Sequence, residues 1–376
     1  MKLDSILIVA GEVSGDIQGA KLVAELKELS PGIKITGIGG DNMKSAGVEL
    51  LHHVREMSFL GFSEIIKHLP FIRRVLNELI HWIEMNRPSA VVLIDYPGFN
   101  LKLARRAKKL GCKVIYYISP QIWAWGKSRI KKIARFVDLM IVVFPFEEKL
   151  YKDYGINVEF VGHPMLEGLD NTSTKAEFFK KHKLDERKTL IGLLPGSRLQ
   201  EVEKLYPTML EAIEKMKTNS TELQSVTSLS PALDKEIYSS IEQGKYAVHS
   251  TDTHDVMKHS DLLIVASGSA TLESAFFGTP LIIVYRLSPI SWFLGNLLVN
   301  IKSIGLVNIV AGENIAPEIL QSDLTADRLA EEALSIITND NISSAMSEKL
   351  SGVKKLLGEP GASMKAAKSI LRNIAS

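Results

Sequence analysis

A glycine-rich turn in the second half of the chain combines residue types suited to holding a phosphate. Gly196, Ser197 and Arg198 follow the apolar run 190–194 and precede a stretch with helical periodicity. Glycine lets the backbone approach a ligand closely, a helix N-terminus attracts anions, and an arginine guanidinium can bind two phosphate oxygens at once. The turn therefore predicts a phosphate site, with an ordinary surface arginine as the alternative.

A second turn of the same kind follows another apolar run. It offers hydroxyl groups beside backbone N–H donors, supplied by Gly268, Ser269, Ala270 and Thr271. Glu273 stands one turn into the next helical stretch, where a carboxylate can accept hydrogen bonds from both hydroxyls of a ribose. Helix capping is the alternative explanation for Glu273. Taken together, the two turns predict a nucleotide site.

Near the start of the chain, the turn 10–16 sets two carboxylates and a hydroxyl within a few residues. Glu12 and Ser14 are candidates for acid–base work or for contact with a polar substrate. The glycines at 11, 15 and 19 do not match the G-x-G-x-x-G spacing of dinucleotide-binding turns. The alternative is a purely structural turn, with Asp16 as a helix cap.

Asp95 stands where the apolar run Ala90–Ile94 ends. Ligands of parallel sheets bind at the carboxyl ends of strands, so this carboxylate is expected to face a crevice. Burial beside Tyr96 and Phe99 would raise the pKa of its carboxyl, which suits a general base. A helix N-cap is the alternative role for Asp95.

Residues 57–79 place apolar side chains at helical spacing, interrupted by Lys67, Arg73 and Arg74. This pattern is typical of a helix lying in a membrane interface, with its cations near anionic head groups. An ordinary core-facing helix is the alternative, and residues 290–301 are a weaker candidate for the same membrane role. The side chains expected to contact a membrane or acyl chains are Phe59, Phe62, Ile65, Ile66, Leu69, Phe71 and Ile72.

The composition narrows the class of protein. The 376 residues are 45% hydrophobic and 23% charged, which indicates an ordered globular protein of about two domains. A net charge of +2 argues against binding to nucleic acid by phosphate neutralisation. The single cysteine, Cys112, cannot form an internal disulfide, which favours a reducing compartment. We recognise neither a signal peptide nor a run of about 20 apolar residues that would span a bilayer.

Two series of short apolar runs, which we interpret as strands, alternate with helical patterns. These elements must position the candidate site residues named above. The first series extends from residue 6 to residue 161 and the second from residue 190 to residue 285. Most runs are continuous, as in parallel strands that are covered on both faces. We therefore predict an α/β protein with two Rossmann-like, doubly wound domains. The expected boundaries are residues 1–168, residues 169–342 and a C-terminal helical segment, 343–376.

Taken together, these segments resemble the lipid-A-disaccharide synthase family. The matching segments follow the family's order over nearly the whole chain: 10–16, 37–40, 94–100, 119–125, 161–164, 194–198, 266–273, 307–312 and 317–321. Each segment alone is common, but nine in order are specific. Val13, Ser269 and Gly98 depart from the family's usual residues. Gly98 replaces an aspartate, which leaves Asp95 as the only carboxylate of its motif.

The resemblance implies a glycosyltransferase of the two-domain GT-B type that works without a metal ion or cofactor. The donor would be UDP-2,3-diacylglucosamine and the acceptor 2,3-diacylglucosamine 1-phosphate, also called lipid X. The products would be UDP and the β-1,6-linked disaccharide 1-phosphate, a step of lipid A biosynthesis. The enzyme would act in the cytoplasm, peripherally on the inner membrane of a Gram-negative cell.

The resemblance also implies roles for residues. The two glycine-rich turns would bind UDP, and Asn308, after the family's last strand motif, would complete the diphosphate side. Asp95 would accept the proton of the acceptor's 6-hydroxyl during an inverting attack, with Glu12 and Ser14 as the next candidates. The C-terminal helices would pack on the first domain of the same chain or, by exchange, of a second subunit.

Two other classes of function remain open. A UDP-N-acetylglucosamine 2-epimerase of the same fold would need no lipid. A non-catalytic protein that binds nucleotide sugars or lipids would bind UDP without turnover. The sequence has no D-x-D signature and no paired metal-ligand spacing, so we expect no metal site.

Overall fold

The computed structural model describes residues 5–57, 68–122, 129–169, 171–219, 222–231, 233–242, 247–286 and 303–375. The chain forms two compact units, one of residues 1–164 with 357–376 and one of residues 165–356. Each unit contains one parallel β-sheet flanked by helices. The predicted α/β class with two doubly wound sheets is therefore confirmed.

The first unit contains a seven-stranded sheet with the strand order β3-β2-β1-β4-β5-β6-β7. Its strands are β1 (Ser5–Ala10), β2 (Lys34–Gly39), β3 (Glu49–His53), β4 (Ala90–Ile94), β5 (Lys113–Tyr117), β6 (Leu139–Val142) and β7 (Val158–Phe160). Every residue of β4 and β6 is buried. The continuous apolar runs of the sequence thus form strands covered on both faces.

Helices on both faces of this sheet leave a crevice near its centre. The helices are α1 (Val13–Leu29), α2 (Asp41–Ser45), α3 (Val54–Met57), α4 (Leu69–Asn86), α5 (Pro97–Lys109), α6 (Ile130–Phe136) and α7 (Pro145–Lys152). The strand order runs one way from β1 to β2 and the other way from β4 to β5. Because crossovers between parallel strands are right-handed, α1 and α5 lie on opposite faces. The reversal opens a crevice at the carboxyl ends of β1 and β4.

The second unit contains a six-stranded sheet with the strand order β10-β9-β8-β11-β12-β13. Its strands are β8 (Thr189–Leu194), β9 (Leu223–Ser228), β10 (Val248–Ser250), β11 (Leu262–Ala266), β12 (Leu281–Tyr285) and β13 (Glu318–Leu320). Its helices are α8 (Lys175–His182), α9 (Leu199–Asn219), α10 (Lys235–Glu242), α11 (Thr253–His259), α12 (Ala270–Phe277), α13 (Leu306–Ala311), α14 (Ala326–Ile337) and α15 (Asp340–Leu356). The strand order reverses between β8 and β11, so a second crevice forms there.

The C-terminal segment divides between the two units. Helix α15 contacts α12, α13 and α14 and belongs to the second unit. Helix α16 (Ala362–Ala375) contacts α1 and β5 of the first unit and buries Ala366 and Ile370. The chain returns to the first unit at Leu357, whereas the sequence placed this passage at residue 343. An apolar periodicity shows that a helix buries one face, but not which surface covers it.

The segment expected to lie in a membrane interface is described only from residue 68 onward. There α4 buries Val75, Leu79 and Ile83. Leu69 is half-buried, and Phe71 and Ile72 pack against the same core. The described part of the segment thus has the arrangement of the alternative, a core-facing helix. Outside the described residues lie Phe59, Phe62, Ile65, Ile66 and the weaker candidate, 290–301. Among the helices that the structure describes, none is both long and apolar enough to cross a bilayer.

Candidate functional site

The turn between β8 and α9 is held by a carboxylate that the sequence analysis missed. Gly196 has a φ of +114°, in the region that favours glycine. One oxygen of Glu201 accepts hydrogen bonds from the backbone N–H groups of Ser197 at 3.2 Å and Arg198 at 3.4 Å. Its other oxygen lies 3.1 Å from Nη1 of Arg198. The donors expected to hold a phosphate therefore converge on one anionic group.

The turn between β11 and α12 presents the N-terminus of a helix. Among the described residues, none accepts a hydrogen bond from the backbone N–H of Gly268, Ser269 or Ala270. Glu273, in the first turn of α12, is half-buried, and its Oε2 lies 3.3 Å from Nε2 of His254. The turn can thus offer N–H groups to an anion and a carboxylate to the hydroxyls of a sugar.

Both turns line one cleft of the second unit, with a volume of about 310 Å³. They meet because β8 and β11 are neighbours in the sheet. Seven of the nine predicted nucleotide-binding residues line this cleft: Gly196, Ser197, Arg198, Gly268, Ser269, Ala270 and Glu273. Its volume falls in the range of small-molecule sites, about 300–1,000 Å³.

Further polar groups of the cleft were not found from the sequence. Ser228, at the end of β9, lines the cleft together with Ser230 and Thr253. The hydroxyls of Ser228 and Thr253 lie 2.7 Å apart. Strand β9 pairs with β8 on the side away from β11. Spacing along the chain does not reveal that neighbour relation, so it gave no signal for these residues.

Two predicted residues, Thr271 and Asn308, are not among the residues that line the cleft. Thr271 is fully buried, and its hydroxyl donates to a backbone carbonyl of its own turn. The amide nitrogen of Asn308 donates to the carbonyl of Ala316 and to Glu318, both at 2.8 Å. Its amide oxygen accepts from two backbone N–H groups of the following loop. Asn308 therefore uses all its hydrogen-bonding capacity to fix the loop between α13 and β13.

In the first unit, the strand-end aspartate lies on a strained turn. Asp95 and Tyr96, between β4 and α5, have positive φ angles of 45° and 48°. This region costs a non-glycine residue about 1–2 kcal/mol, and such strain clusters at functional sites. The carbonyl of Asp95 accepts hydrogen bonds from the hydroxyl of Tyr116 and, at 2.7 Å, from Nδ2 of Asn100, both fully buried residues. These bonds hold the strained backbone in place.

Burial, which is the larger cause, and the negative charge of Glu12 together raise the pKa of the Asp95 carboxyl to about 6, while the N–H of Tyr96 opposes the shift. Strands β1 and β4 pair with Ala10 opposite Ile94, so the turn that carries Glu12 lies beside Asp95. A carboxyl with this pKa is ionised at neutral pH and is a stronger base than an ordinary aspartate. This environment suits a general base.

Three polar residues of the turn 10–16 have different surroundings. Glu12 and Ser14 are exposed at the N-terminus of α1. Asp16 is buried, and its carboxylate accepts hydrogen bonds from the backbone N–H groups of Gly40 at 2.6 Å and Met43 at 3.0 Å. Glu12 and Ser14 therefore remain accessible to a substrate, whereas Asp16 ties α1 to the start of α2.

Gly11 makes room for the ring of Tyr96. A Cβ atom at Gly11 would lie 2.1 Å from Cδ1 of Tyr96. The hydroxyl of Tyr96 donates to the carbonyl of Met57 at 3.2 Å, and its ring centroid lies 6.0 Å from that of Phe99. Tyr96 thus braces the turn that carries Asp95 against the start of α1.

Comparisons with known proteins cover nearly the whole chain. The sequence matches the family model described as lipid-A-disaccharide synthetase over residues 6–372. It is 42% identical over 367 residues to a lipid-A-disaccharide synthase of Syntrophus aciditrophicus, covering 96% of each chain. It is 40% identical over 369 residues to one of Geobacter sulfurreducens, covering 97% of this chain and 96% of the relative.

Solved structures with much lower identity share the fold. One is a UDP-N-acetylglucosamine 2-epimerase from Neisseria meningitidis bound to UDP-GlcNAc, with a TM-score of 0.65, 12% identity, and coverage of 98% of this chain and 100% of that chain. Another is the calicheamicin glycosyltransferase, with a TM-score of 0.64, 16% identity, and coverage of 100% and 99%. At such identities the likeness concerns the fold alone, and that fold is the GT-B arrangement of two α/β domains.

Proposed function

The chain belongs to the lipid-A-disaccharide synthase family of glycosyltransferases, and we propose that it joins two acylated glucosamines. The donor is UDP-2,3-diacylglucosamine, and the acceptor is 2,3-diacylglucosamine 1-phosphate, lipid X. The acceptor's 6-hydroxyl attacks the anomeric carbon with inversion, giving the β-1,6-linked disaccharide 1-phosphate and UDP. The observation that carries the proposal is the family match over residues 6–372.

The cleft of the second unit is the proposed UDP site. The turn of Gly196 and Arg198 and the N-terminus of α12 would hold the diphosphate, and Glu273 would accept hydrogen bonds from the ribose. When the bond from the anomeric carbon to the phosphate oxygen breaks, UDP leaves with the electron pair. Arg198 and the backbone N–H groups stabilise that developing charge, which is where fixed donors accelerate a reaction most. Diphosphate replaces Glu201 as the partner of these donors.

Asp95 is the proposed general base. As the 6-oxygen of the acceptor bonds to the anomeric carbon, its proton passes to the Asp95 carboxylate. The pKa of about 6 makes this carboxylate a better base than an ordinary aspartate while it stays ionised at neutral pH. Glu12, exposed beside Asp95, is the second candidate for the base, and Ser14 is a candidate for contact with the acceptor.

The acylated substrates also define where the enzyme would work. An exposed methylene costs about 0.8 kcal/mol, so both lipids stay largely in a bilayer until they react. We propose that the protein works in the cytoplasm, peripherally bound to the inner membrane. A homodimer could form through exchange of α16, because its partner surface on α1 would be identical in a second subunit.

Measuring both products tests this function. Purified protein is incubated with the two acylated substrates, and free UDP and disaccharide are quantified together. We expect equal amounts of both, and neither when lipid X is omitted. Conversion of UDP-N-acetylglucosamine to its 2-epimer without lipid would identify an epimerase instead. UDP binding without either product would identify a binding protein.

A metal-free reaction is part of the proposal. Among the described residues, no group of three or more His, Cys, Asp or Glu side chains is arranged to hold a metal ion. Arg198 and helix N-termini would carry the charge of the leaving group. Excess EDTA should therefore leave UDP release unchanged. Loss of activity with EDTA, restored by added magnesium or manganese, would contradict this part of the proposal.

A further inference from the structure

A groove on the first unit concentrates positive charge. It lies between α5 and α6 and has a volume of about 660 Å³. Seven of its lining residues are lysine or arginine, and none of those described is aspartate or glutamate. Helix α5 contributes Lys102, Arg105 and Lys109, and helix α6 contributes Lys131, Lys132 and Arg135. We call it the α5–α6 groove.

Among the described residues, six of the seven cations that line the α5–α6 groove have no carboxylate partner. Lys108, also on α5, pairs with Asp138. The six lysines and arginines named above are exposed, and none of them pairs with a carboxylate in the part of the chain that the structure describes. Residues 96–137 contain eleven lysines and arginines and no aspartate or glutamate. With a net charge of only +2 for the whole chain, this is a strong local excess.

The layout of the groove fits several anions better than one. Lys102, Arg105 and Lys109 follow the i, i+3, i+7 spacing of one helix face and extend over about 10 Å. A second row faces them from α6. Leu101 of α5 and Phe136 of α6 also line the groove and are half-buried. A single phosphate would use two or three of these cations, and the others would remain without partners.

We propose that the α5–α6 groove docks the protein on the phosphate head groups of an anionic phospholipid bilayer. Clusters of four to eight lysines and arginines beside apolar side chains are typical of such surfaces. The groove begins at Pro97 and Gly98, on the first turn of the helix that follows Asp95. Docking would hold this turn close to the lipid head groups. The proposal rests on the proposed function, which has the protein peripherally bound to the inner membrane, and it adds which surface makes that contact.

A pair of charge reversals with a matched control tests this docking surface. Lys102→Glu/Lys131→Glu removes one cation from each row. Lys365→Glu/Lys368→Glu makes the same charge change on exposed lysines of α16, which packs with α1 on the other face of the sheet. Binding is measured by co-sedimentation with phosphatidylcholine vesicles that contain about one third phosphatidylglycerol. We expect the groove variant to bind at least about 25-fold more weakly, since each lost cation weakens binding about fivefold, and the control to stay within about twofold of wild type.

Further measurements distinguish the sources of phosphate. Binding of the wild type should fall steeply with added salt and should be weak on vesicles of phosphatidylcholine alone. Arg105→Gln/Arg135→Gln, a second pair from the same two rows, should show the same loss if the first variant does not fold. Equal binding by the groove variants and the control would overturn the proposal. So would displacement by millimolar inorganic phosphate, which indicates a single-phosphate site, or by a short DNA duplex, which indicates a nucleic-acid surface.

The outcome can be separated from that of the proposed function. UDP release is measured on the same proteins with substrates dispersed in detergent, where docking on a bilayer is not needed. The groove variants should retain this activity. A wild type that binds anionic vesicles but releases no UDP would overturn the proposed function and leave the docking surface intact. A groove variant with normal vesicle binding and reduced turnover in detergent would overturn the docking surface and make the groove part of the substrate site.

Discussion

At Asp95, burial and the charge of Glu12 raise the carboxyl pKa to about 6. The proposed base should therefore titrate within the pH range in which the activity of the enzyme is measured. Turnover of the wild type should rise with pH through about 6, because only the ionised carboxylate accepts a proton. Asp95→Asn should lower turnover at neutral pH by about 10²–10⁴-fold, remove this pH dependence and leave UDP affinity nearly unchanged. Initial rates from about pH 5 to 8 and calorimetry with UDP provide the measurements. A variant with near-normal turnover and the wild-type pH profile would transfer the role to Glu12.

The same shift makes the stability of the protein depend on pH. The unfolded carboxyl of Asp95 titrates near 3.8 and the folded one near 6. Between these values the unfolded chain ionises first, so stability that is fully present below the lower pKa is lost as the pH rises through the upper one. Asp95→Asn does not ionise and should raise the Tm relative to wild type at about pH 8 but not at about pH 3.5. An equal change of Tm at both pH values would contradict the raised pKa.

Arg198 offers a test of the nucleotide cleft with a matched control in the same unit. Arg198→Ala removes a guanidinium that lines the cleft, and it should lower UDP affinity and turnover together, with a loss in turnover of about 10²–10³-fold. Arg187→Ala removes an exposed guanidinium that pairs with Asp185 outside the cleft, and it should change neither quantity. Calorimetry with UDP and initial rates are compared for both variants. Equal behaviour of the two variants would mean that the diphosphate lies elsewhere.

The residues of the nucleotide cleft show how far sequence reasoning extends at this scale. Gly196 and Arg198 were identified from their types and position just after an apolar strand. There, glycine lets the backbone approach a ligand and arginine can bind a phosphate. Glu201 was missed because its role depends on a side chain folding back onto the preceding turn. Asn308 came from the family resemblance, but in the structure its amide makes four hydrogen bonds, three to the loop that follows α13 and one to Glu318 of β13. Residue type and strand position predict where a ligand can bind, whereas hydrogen-bond partners require the folded chain.

Among the elements, the turn between β1 and α1 contacts the turn between β4 and α5, because the ring of Tyr96 packs against Gly11. A methyl group at Gly11 would lie 2.1 Å from the ring of Tyr96, whereas a methyl group at Gly98, in the first turn of α5, would meet no atom within 4 Å. Gly11→Ala should therefore displace Tyr96, destabilise the fold by about 1–3 kcal/mol and lower turnover through Asp95. Gly98→Ala should leave turnover unchanged and stabilise the helix by up to about 1 kcal/mol. Urea unfolding measures the effect on stability, and UDP release measures the effect on turnover. Comparable losses for the two variants would show that the loss does not come from the contact between Gly11 and Tyr96.

Helices were harder to assign from the sequence than strands. The strands follow directly from continuous apolar runs, because only a strand covered on both faces needs every side chain apolar. Helix α4 has an apolar periodicity that fits a membrane interface as well as a protein core. The structure buries Val75, Leu79 and Ile83 in the core. Helices α15 and α16 have similar patterns but pack in different units. Their partner surfaces are formed by distant parts of the chain, which periodicity does not specify.

At the scale of the molecule, the two units are built differently along the chain. The second unit is one continuous segment, residues 165–356, whereas the first needs both ends of the chain. Helix α16 supplies part of the first unit's packing, through contacts with α1 and β5 and a salt bridge from Arg372 to Glu159. Removal of residues 357–376 should therefore affect the acceptor side of the enzyme and spare the nucleotide side.

This difference gives a prediction for an isolated fragment. Among the described residues, all those that line the nucleotide cleft, from Leu194 to Glu273, lie within residues 165–356, and so do the six strands of the second sheet. The fragment 165–356 should fold cooperatively and bind UDP within about threefold of the full chain, a difference below about 1 kcal/mol, and it should form no disaccharide. Arg198→Ala in the same fragment should weaken that binding as much as it does in the full chain. The complementary fragment 1–164, which lacks α16, should be destabilised or aggregate, because the surface of α1 that α16 covers becomes exposed. A folded fragment 165–356 that binds UDP more than about tenfold more weakly than the full chain would show that groups of the first unit contribute to the nucleotide site.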